Sequence, residues 1–165
     1  MKQRPKKLAP PIKTVAVKAE VSQNCDKFGW KFKVYVSPTD SNALQKTIDT
    51  QDDAVTQYFK ARVRYLSNTG KRDWKEPAAK KLQGVTDIYE IKFKANKVQY
   101  RPLGFFGLAS DEFTILVWAT HKQDIYDPHD AIKTAAKRRD LVEKGRASCV
   151  PLKINGEEFP CSEES

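Results

Sequence analysis

From Ile88 onward the chain alternates so regularly that each side chain can be given a face. Tyr89, Ile91 and Phe93 fall on one side of an extended strand, and Glu90, Lys92 and Lys94 on the other. About Val98 to Phe106 forms a second extended run that contains Tyr100-Arg101, and Phe113 to Thr120 forms a third that is apolar on both faces. A strand without a polar side belongs in the interior of a sheet, where both of its faces are covered. Ala95-Asn96-Lys97 supplies a hairpin turn, and the glycine-bearing, charged stretch Gly104 to Glu112 a longer one. A helix follows. Asp127 is its expected cap, with Pro128 at its first position and Asp130 in its first turn. Ile132, Ala135, Ala136, Arg139 and Val142 mark one face, and Gly145 closes it.

The earlier half reads strand, strand, helix, helix. Val15, Val17, Ala19 and Val21 alternate with polar or small residues. Trp30, Phe32, Val34 and Val36 do the same against Lys31, Lys33 and Tyr35, so a hairpin of these two runs is expected. Pro38 to Asn42 breaks the second strand. Asp49 to Asp53 supplies capping carboxylates for a helix lined by Val55, Phe59, Val63 and Leu66 and ended by Gly70. A short helix is expected over Trp74 to Leu82, with Asp73 as cap and Gly84 beyond its end. With 165 residues, one domain is the natural reading. Residues 1–27 form a basic arm plus an extra strand, residues 28–145 the domain, and residues 146–165 a tail with a short strand near Val150 to Ile154. The fold class is α+β, with a mainly antiparallel sheet.

Charge narrows the choice of partners. Thirty Lys and Arg against twenty-one Asp and Glu leave the chain at +9, and the excess lies in the first hundred residues. That imbalance favours an anionic partner. The three cysteines, Cys25, Cys149 and Cys161, are odd in number and far apart, so they fit neither a disulfide framework nor a zinc-finger spacing. No apolar run of signal-peptide length follows the basic start, and none approaches the roughly 20 residues of a membrane span. A cytoplasmic protein without a membrane partner is expected. Glycine-rich phosphate loops, zinc motifs and nucleophile elbows do not occur in the sequence, and no metal or cofactor is expected.

A sheet face carrying one carboxylate and several cations suits phosphate chemistry. Metal-free RNA cleavage needs a group to take the 2'-hydroxyl proton, cations for the crowded phosphorane oxygens, and a proton for the departing 5'-oxygen. Lys92, Arg101 and Lys122 are the candidate catalytic cations, and Lys94 is a further cation for nucleic acid. Arg101 is suited to a forked hold on phosphate. Glu90 and His121 are the candidate acid–base groups. Tyr126 is a candidate for stacking on a base, and Lys133, Lys137 and Arg138 give the last helix a basic side that can follow a nucleic-acid backbone. The competing reading is plain: a Glu–Lys cross-strand pair and solvated cations on an exposed face.

These residues also carry a resemblance. The element Ile88-Tyr89-Glu90-Ile91-Lys92-Phe93, the pair Tyr100-Arg101, and Lys122 with Pro128 six residues later occur in that order. From about Trp30 to Gly145 the chain resembles the HigB-like branch of the RelE/ParE toxin superfamily, a group often described as phage-derived. The resemblance implies a small twisted, mainly antiparallel sheet with two N-terminal-side helices, one C-terminal helix and a basic face. It also implies a cofactor-free endoribonuclease that cuts messenger RNA on the ribosome and is neutralised by an antitoxin. The pattern departs from the family at Thr120-His121-Lys122-Gln123, where a phenylalanine and adjacent lysines are usual, and at Pro102, which removes a backbone donor after Arg101. Two rival readings stay open. One is a noncatalytic relative, either a gyrase-directed inhibitor of the ParE kind or a phage-borne binding protein. The other is an assembly partner working through the terminal extensions.

Overall fold

The computed structural model describes residues 29–159. The expected strand over residues 12–21 lies outside them. The elements run β1 (Lys31–Val36), α1 (Ala43–Asp49), α2 (Asp53–Ser67), a 3-10 turn (Lys71–Asp73), β2 (Ala79–Lys81), β3 (Tyr89–Ile91), β4 (Phe93–Ala95), β5 (Val98–Tyr100) and β6 (Leu103–Phe106). They continue with β7 (Glu112–Val117), β8 (Thr120–Lys122), β9 (Ile125–Asp127), α3 (Ala131–Glu143), β10 (Ser148–Pro151), β11 (Lys153–Ile154) and β12 (Glu157–Glu158). The molecule is α+β, as its pattern implies. One sheet has six strands in the order β10-β1-β7-β6-β3-β2, another four in the order β4-β5-β8-β9, and β11 pairs with β12. Pairing is antiparallel throughout except between β1 and β7.

The three long strands read from the alternation are each broken in two. The first passes from β3 into β4 at Lys92, the second from β5 into β6 at Arg101-Pro102, and the third from β7 into β8 at Trp118-Ala119. The chain thus changes sheets three times at one corner. Its amides find partners there outside the regular ladders: Lys92 N bonds Ala78 O (2.9 Å), Ile91 N bonds Pro102 O (2.9 Å), and Arg101 N bonds Ala119 O (2.7 Å). Pro102 occupies the junction between β5 and β6, where its missing N–H interrupts no ladder.

As its two apolar faces require, β7 lies inside the six-stranded sheet, between β1 and β6. Phe32 and Phe113, register partners, share one face with Trp74, Tyr89 and Phe106. Trp74 sits centrally in this cluster, 4.7 Å from Phe113 and 4.8 Å from Phe106 between ring centroids. On the other face lies α3. Arg138 reaches back from it to donate to Leu116 O (2.7 Å) and covers the Tyr35 ring at 4.9 Å. A Cβ at Gly104 would collide with the Thr114 carbonyl and the Phe113 ring, so the close approach of β6 and β7 depends on glycine. A second aromatic group, Phe59, Phe93, Tyr100 and Trp118, joins α2 to the four-stranded sheet.

Several local expectations are corrected. Trp74 to Leu82 is not a helix. Trp74, Ala78 and Ala79 are buried, residues before Pro77 disfavour the helical region, and Ala79–Lys81 pairs with the open edge of β3. Between Pro38 and Asp53, read as a break followed by caps, a seven-residue helix forms and buries Leu44 and Ile48. Helix α2 matches its apolar line and is capped by the Asp52 side chain, which accepts from Val55 N at 3.0 Å. The last helix begins at Ala131, not at Pro128, because Asp127 is paired with Thr120 in the β8–β9 hairpin. That hairpin turns on Gln123-Asp124 with φ of 51° and 64°, the same geometry as Asn96-Lys97 at 51° and 66°.

Residues 146–159 are built into the molecule. β10 pairs with β1 from Lys33 to Val36, and β7 pairs with the opposite edge of β1; the expected hairpin with residues 12–21 lies outside the described residues. Leu152, Ile154 and Phe159 are buried. Each is worth about 1.5–3 kcal/mol of burial. None of the described helices is long and apolar enough to cross a membrane.

Candidate nucleic-acid interface

Glu90 is not on an open sheet face. It is 5% exposed, because the β8–β9 hairpin folds Tyr126 over it. The Tyr126 hydroxyl donates to Glu90 Oε1 at 2.5 Å. Arg101 is 8% exposed, with its Nε 3.9 Å from Glu90 Oε2. The guanidinium also donates to Tyr100 O (2.9 Å) and Gln99 Oε1 (2.6 Å), while Nε has no hydrogen-bond partner among the described residues. A buried carboxylate is tolerable only with such compensation. Burial, then the hydrogen bond and charge of Glu90, push the Tyr126 phenol well above its ordinary range, with Arg101 opposing. Tyr126 is therefore a proton-holding anchor.

His121 lies beside this network. In register it faces Gln99 on one side and Tyr126 on the other, and its ring centroid is 4.8 Å from that of Tyr126. Partners in register share a face, so Lys94, Gln99, His121 and Tyr126 line one side of the four-stranded sheet. Lys122, one residue on, takes the opposite side with Ile125. The expected neighbours His121 and Lys122 are separated by the pleat itself. Both border an open hollow of about 660 Å³ that also touches Lys97, Gln99 and Tyr126.

Lys92 is engaged elsewhere. Its Nζ lies 2.6 Å from Glu76 Oε1, and this hydrogen bond leads the causes that hold the Glu76 carboxyl below its ordinary value. The charges of Lys80 and Arg101 act on Glu76 in the same direction, and Lys80 stands opposite Glu90 in the β2–β3 register. The corner therefore gathers three cations and two carboxylates: Lys80, Lys92 and Arg101 with Glu76 and Glu90. Lys80, Glu76 and Gln99 were not singled out in the sequence. The signal for the first two was hidden by the expected helix at Trp74 to Leu82.

On α3, Lys133 and Lys137 are exposed. Arg138 is committed to Leu116 O and the Tyr35 ring, which removes it from an open basic stripe. Among the described residues, no group of three or more His, Cys, Asp or Glu side chains is placed to hold a metal ion. In comparisons with known proteins, no family model, curated protein or solved structure matches the chain.

Proposed function

We propose that this protein is a toxin-type endoribonuclease of the RelE/HigB kind, with a RelE-like arrangement of sheet and helices. In this reading it acts on messenger RNA in the cytoplasm, in association with the ribosome and under the control of an antitoxin. The observation that carries the reading is the corner where three strands change sheets. There the Glu90–Tyr126–Arg101 network stands next to a partly exposed histidine and an open hollow rimmed by lysines.

The roles follow from burial. Glu90, sealed under Tyr126, positions Arg101 and Tyr126 and does not itself meet substrate. His121, a partly exposed titratable group of the set, takes the proton of the 2'-hydroxyl. The 2'-oxygen attacks phosphorus, the bond to the 5'-oxygen breaks, and solvent protonates the departing oxygen, leaving a 2',3'-cyclic phosphate. Lys94, exposed on the face that His121 shares, stabilises the charge on the phosphorane oxygens, and the buried Arg101 holds Gln99 and Glu90 in place beside it. The test is incubation of the purified full chain with RNA, with and without ribosomes, in the presence of a chelator. Cleavage with cyclic ends is expected, with loss of about a hundredfold or more in His121→Ala. Equal cleavage by wild type and the His121→Ala, Arg101→Ala double variant rejects this site.

One observation favours a second reading. Arg101 spends two of its donors on Tyr100 O and Gln99 Oε1, as a structural arginine would. A noncatalytic relative, either a gyrase-directed inhibitor or a phage-borne binding protein, would need nothing more of it. RNA bound but never cut, or gyrase inhibited, would establish that alternative.

A further inference from the structure

The outer side of α2 carries a constellation that the corner does not use. Tyr58 and Tyr65 are 57% and 54% exposed, although the opposite side of the same helix buries Val55, Phe59, Val63 and Leu66. Seven residues make two turns, so the rings stand on one strip about 10 Å apart. Arg62, four residues after Tyr58 and three before Tyr65, lies between them. Its Nε is buried and has no hydrogen-bond partner among the described residues.

The surroundings extend the strip toward the corner. Tyr65 walls an open hollow of about 410 Å³ shared with Asn68, Lys75, Glu76 and Pro77. Glu76 is the carboxylate that pairs with Lys92. Along and beside the strip stand six cations, Lys60, Arg62, Arg64, Lys71, Arg72 and Lys75, against three carboxylates: Glu157, paired with Lys60, Asp73, near Lys75, and Glu76.

We propose that this strip is a docking surface for single-stranded RNA, in which Tyr58 and Tyr65 stack on unpaired bases and Arg62 holds the phosphate between them. The inference deepens the proposed function and rests on its reading of the chain as RNA-directed. The net positive charge favours a polyanion over a protein partner, whose footprint would need an apolar centre. Ring faces open to solvent favour an unstacked strand over a duplex, whose bases are inaccessible to them.

The experiment measures binding of the full chain to fluorescent 2'-O-methyl oligouridine, which cannot be cut through its blocked 2'-oxygen, and to a duplex RNA of equal length, at several salt concentrations. Tyr58→Ala with Tyr65→Ala is expected to weaken oligouridine binding about tenfold or more with an unchanged salt slope. Tyr58→Phe with Tyr65→Phe should bind like wild type, and Arg62→Ala should lower the slope by about one. Unchanged melting temperatures confirm folding of variants altered at exposed positions. Unaltered oligouridine affinity in the double alanine variant, or an equal loss on duplex RNA, overturns the docking surface and leaves the cleavage reading standing. A protein partner lost in that variant while RNA affinity holds overturns it too. Binding that depends on the tyrosines, in a chain that cuts no RNA, retains the surface and removes the catalysis. A wild-type chain that binds no RNA ends both.

Discussion

The six-stranded and four-stranded sheets are made largely from the same three runs of sequence, yet they differ in what they hold. In the first, β7 has Phe113, Ile115 and Val117 on one face and Thr114 and Leu116 on the other, all buried. In the second, one face is packed on the core, by Phe93 and Tyr100 against Phe59 and Trp118. The other presents Lys94, Gln99, His121 and Tyr126. A sheet packed on both faces has no room for chemistry. Charged side chains collect where the strands leave it, at the corner formed by Lys92, Arg101 and Ala119.

This contrast can be broken by mutation, and the largest effect is expected in the first sheet. Phe113→Ala should cost about 3–5 kcal/mol in urea denaturation, while Ile125→Ala, at 60% exposure on β9, should fall within about 0.5 kcal/mol. Similar losses at the two positions would mean that the sheets do not differ in packing. Next comes the corner. Glu90→Ala leaves the Arg101 guanidinium buried without its carboxylate and should cost about 3 kcal/mol. A neutral outcome would show that Arg101 relaxes to solvent.

Tyr126→Phe removes one hydrogen bond to a carboxylate and should cost about 1.5 kcal/mol near neutrality. The effect depends on pH. The folded phenol holds its proton above the pH at which the unfolded one releases it, so the contribution is complete below about pH 10 and fades as the pH climbs further. Denaturation at pH 7 and above pH 10 should therefore show the wild-type advantage shrinking, and a constant advantage would contradict the anchoring role. The smallest effect belongs to Glu76→Gln. Its carboxyl is held low by Lys92, so the pairing is present at neutral pH and lost as the pH falls through the lowered value. Because Glu76 is exposed, melting should shift by less than a degree or two. A larger shift would place Glu76 within the buried network.

Alternation and turn chemistry made much of this legible. The apolar line of α2, the interior place of β7 and the turn at Asn96-Lys97 follow from side-chain period and backbone preference, which act over a few residues. The breaks in the long strands were not legible. Nothing in Tyr89 to Ala95 marks a change of pairing partner, because both halves bury the same alternate positions. The helix expected at Trp74 to Leu82 failed for a related reason: the free edge of β3 offers Ala79–Lys81 a ladder that local propensity cannot foresee. The β8–β9 hairpin was masked by the helix-start pattern at Asp127-Pro128.

For the candidate site the division is similar. That Glu90, Lys92 and Arg101 lie on extended strands, and that His121 and Lys122 stand at the end of another, could be read from their order along the chain. Which of them meet was settled by the fold. Tyr126 closing on Glu90 joins residues thirty-six positions apart, and the pleat sends His121 and Lys122 to opposite faces. Local periodicity assigns each side chain a direction relative to its own strand. Pairing between strands, which depends on the burial available across the whole molecule, decides what that direction faces.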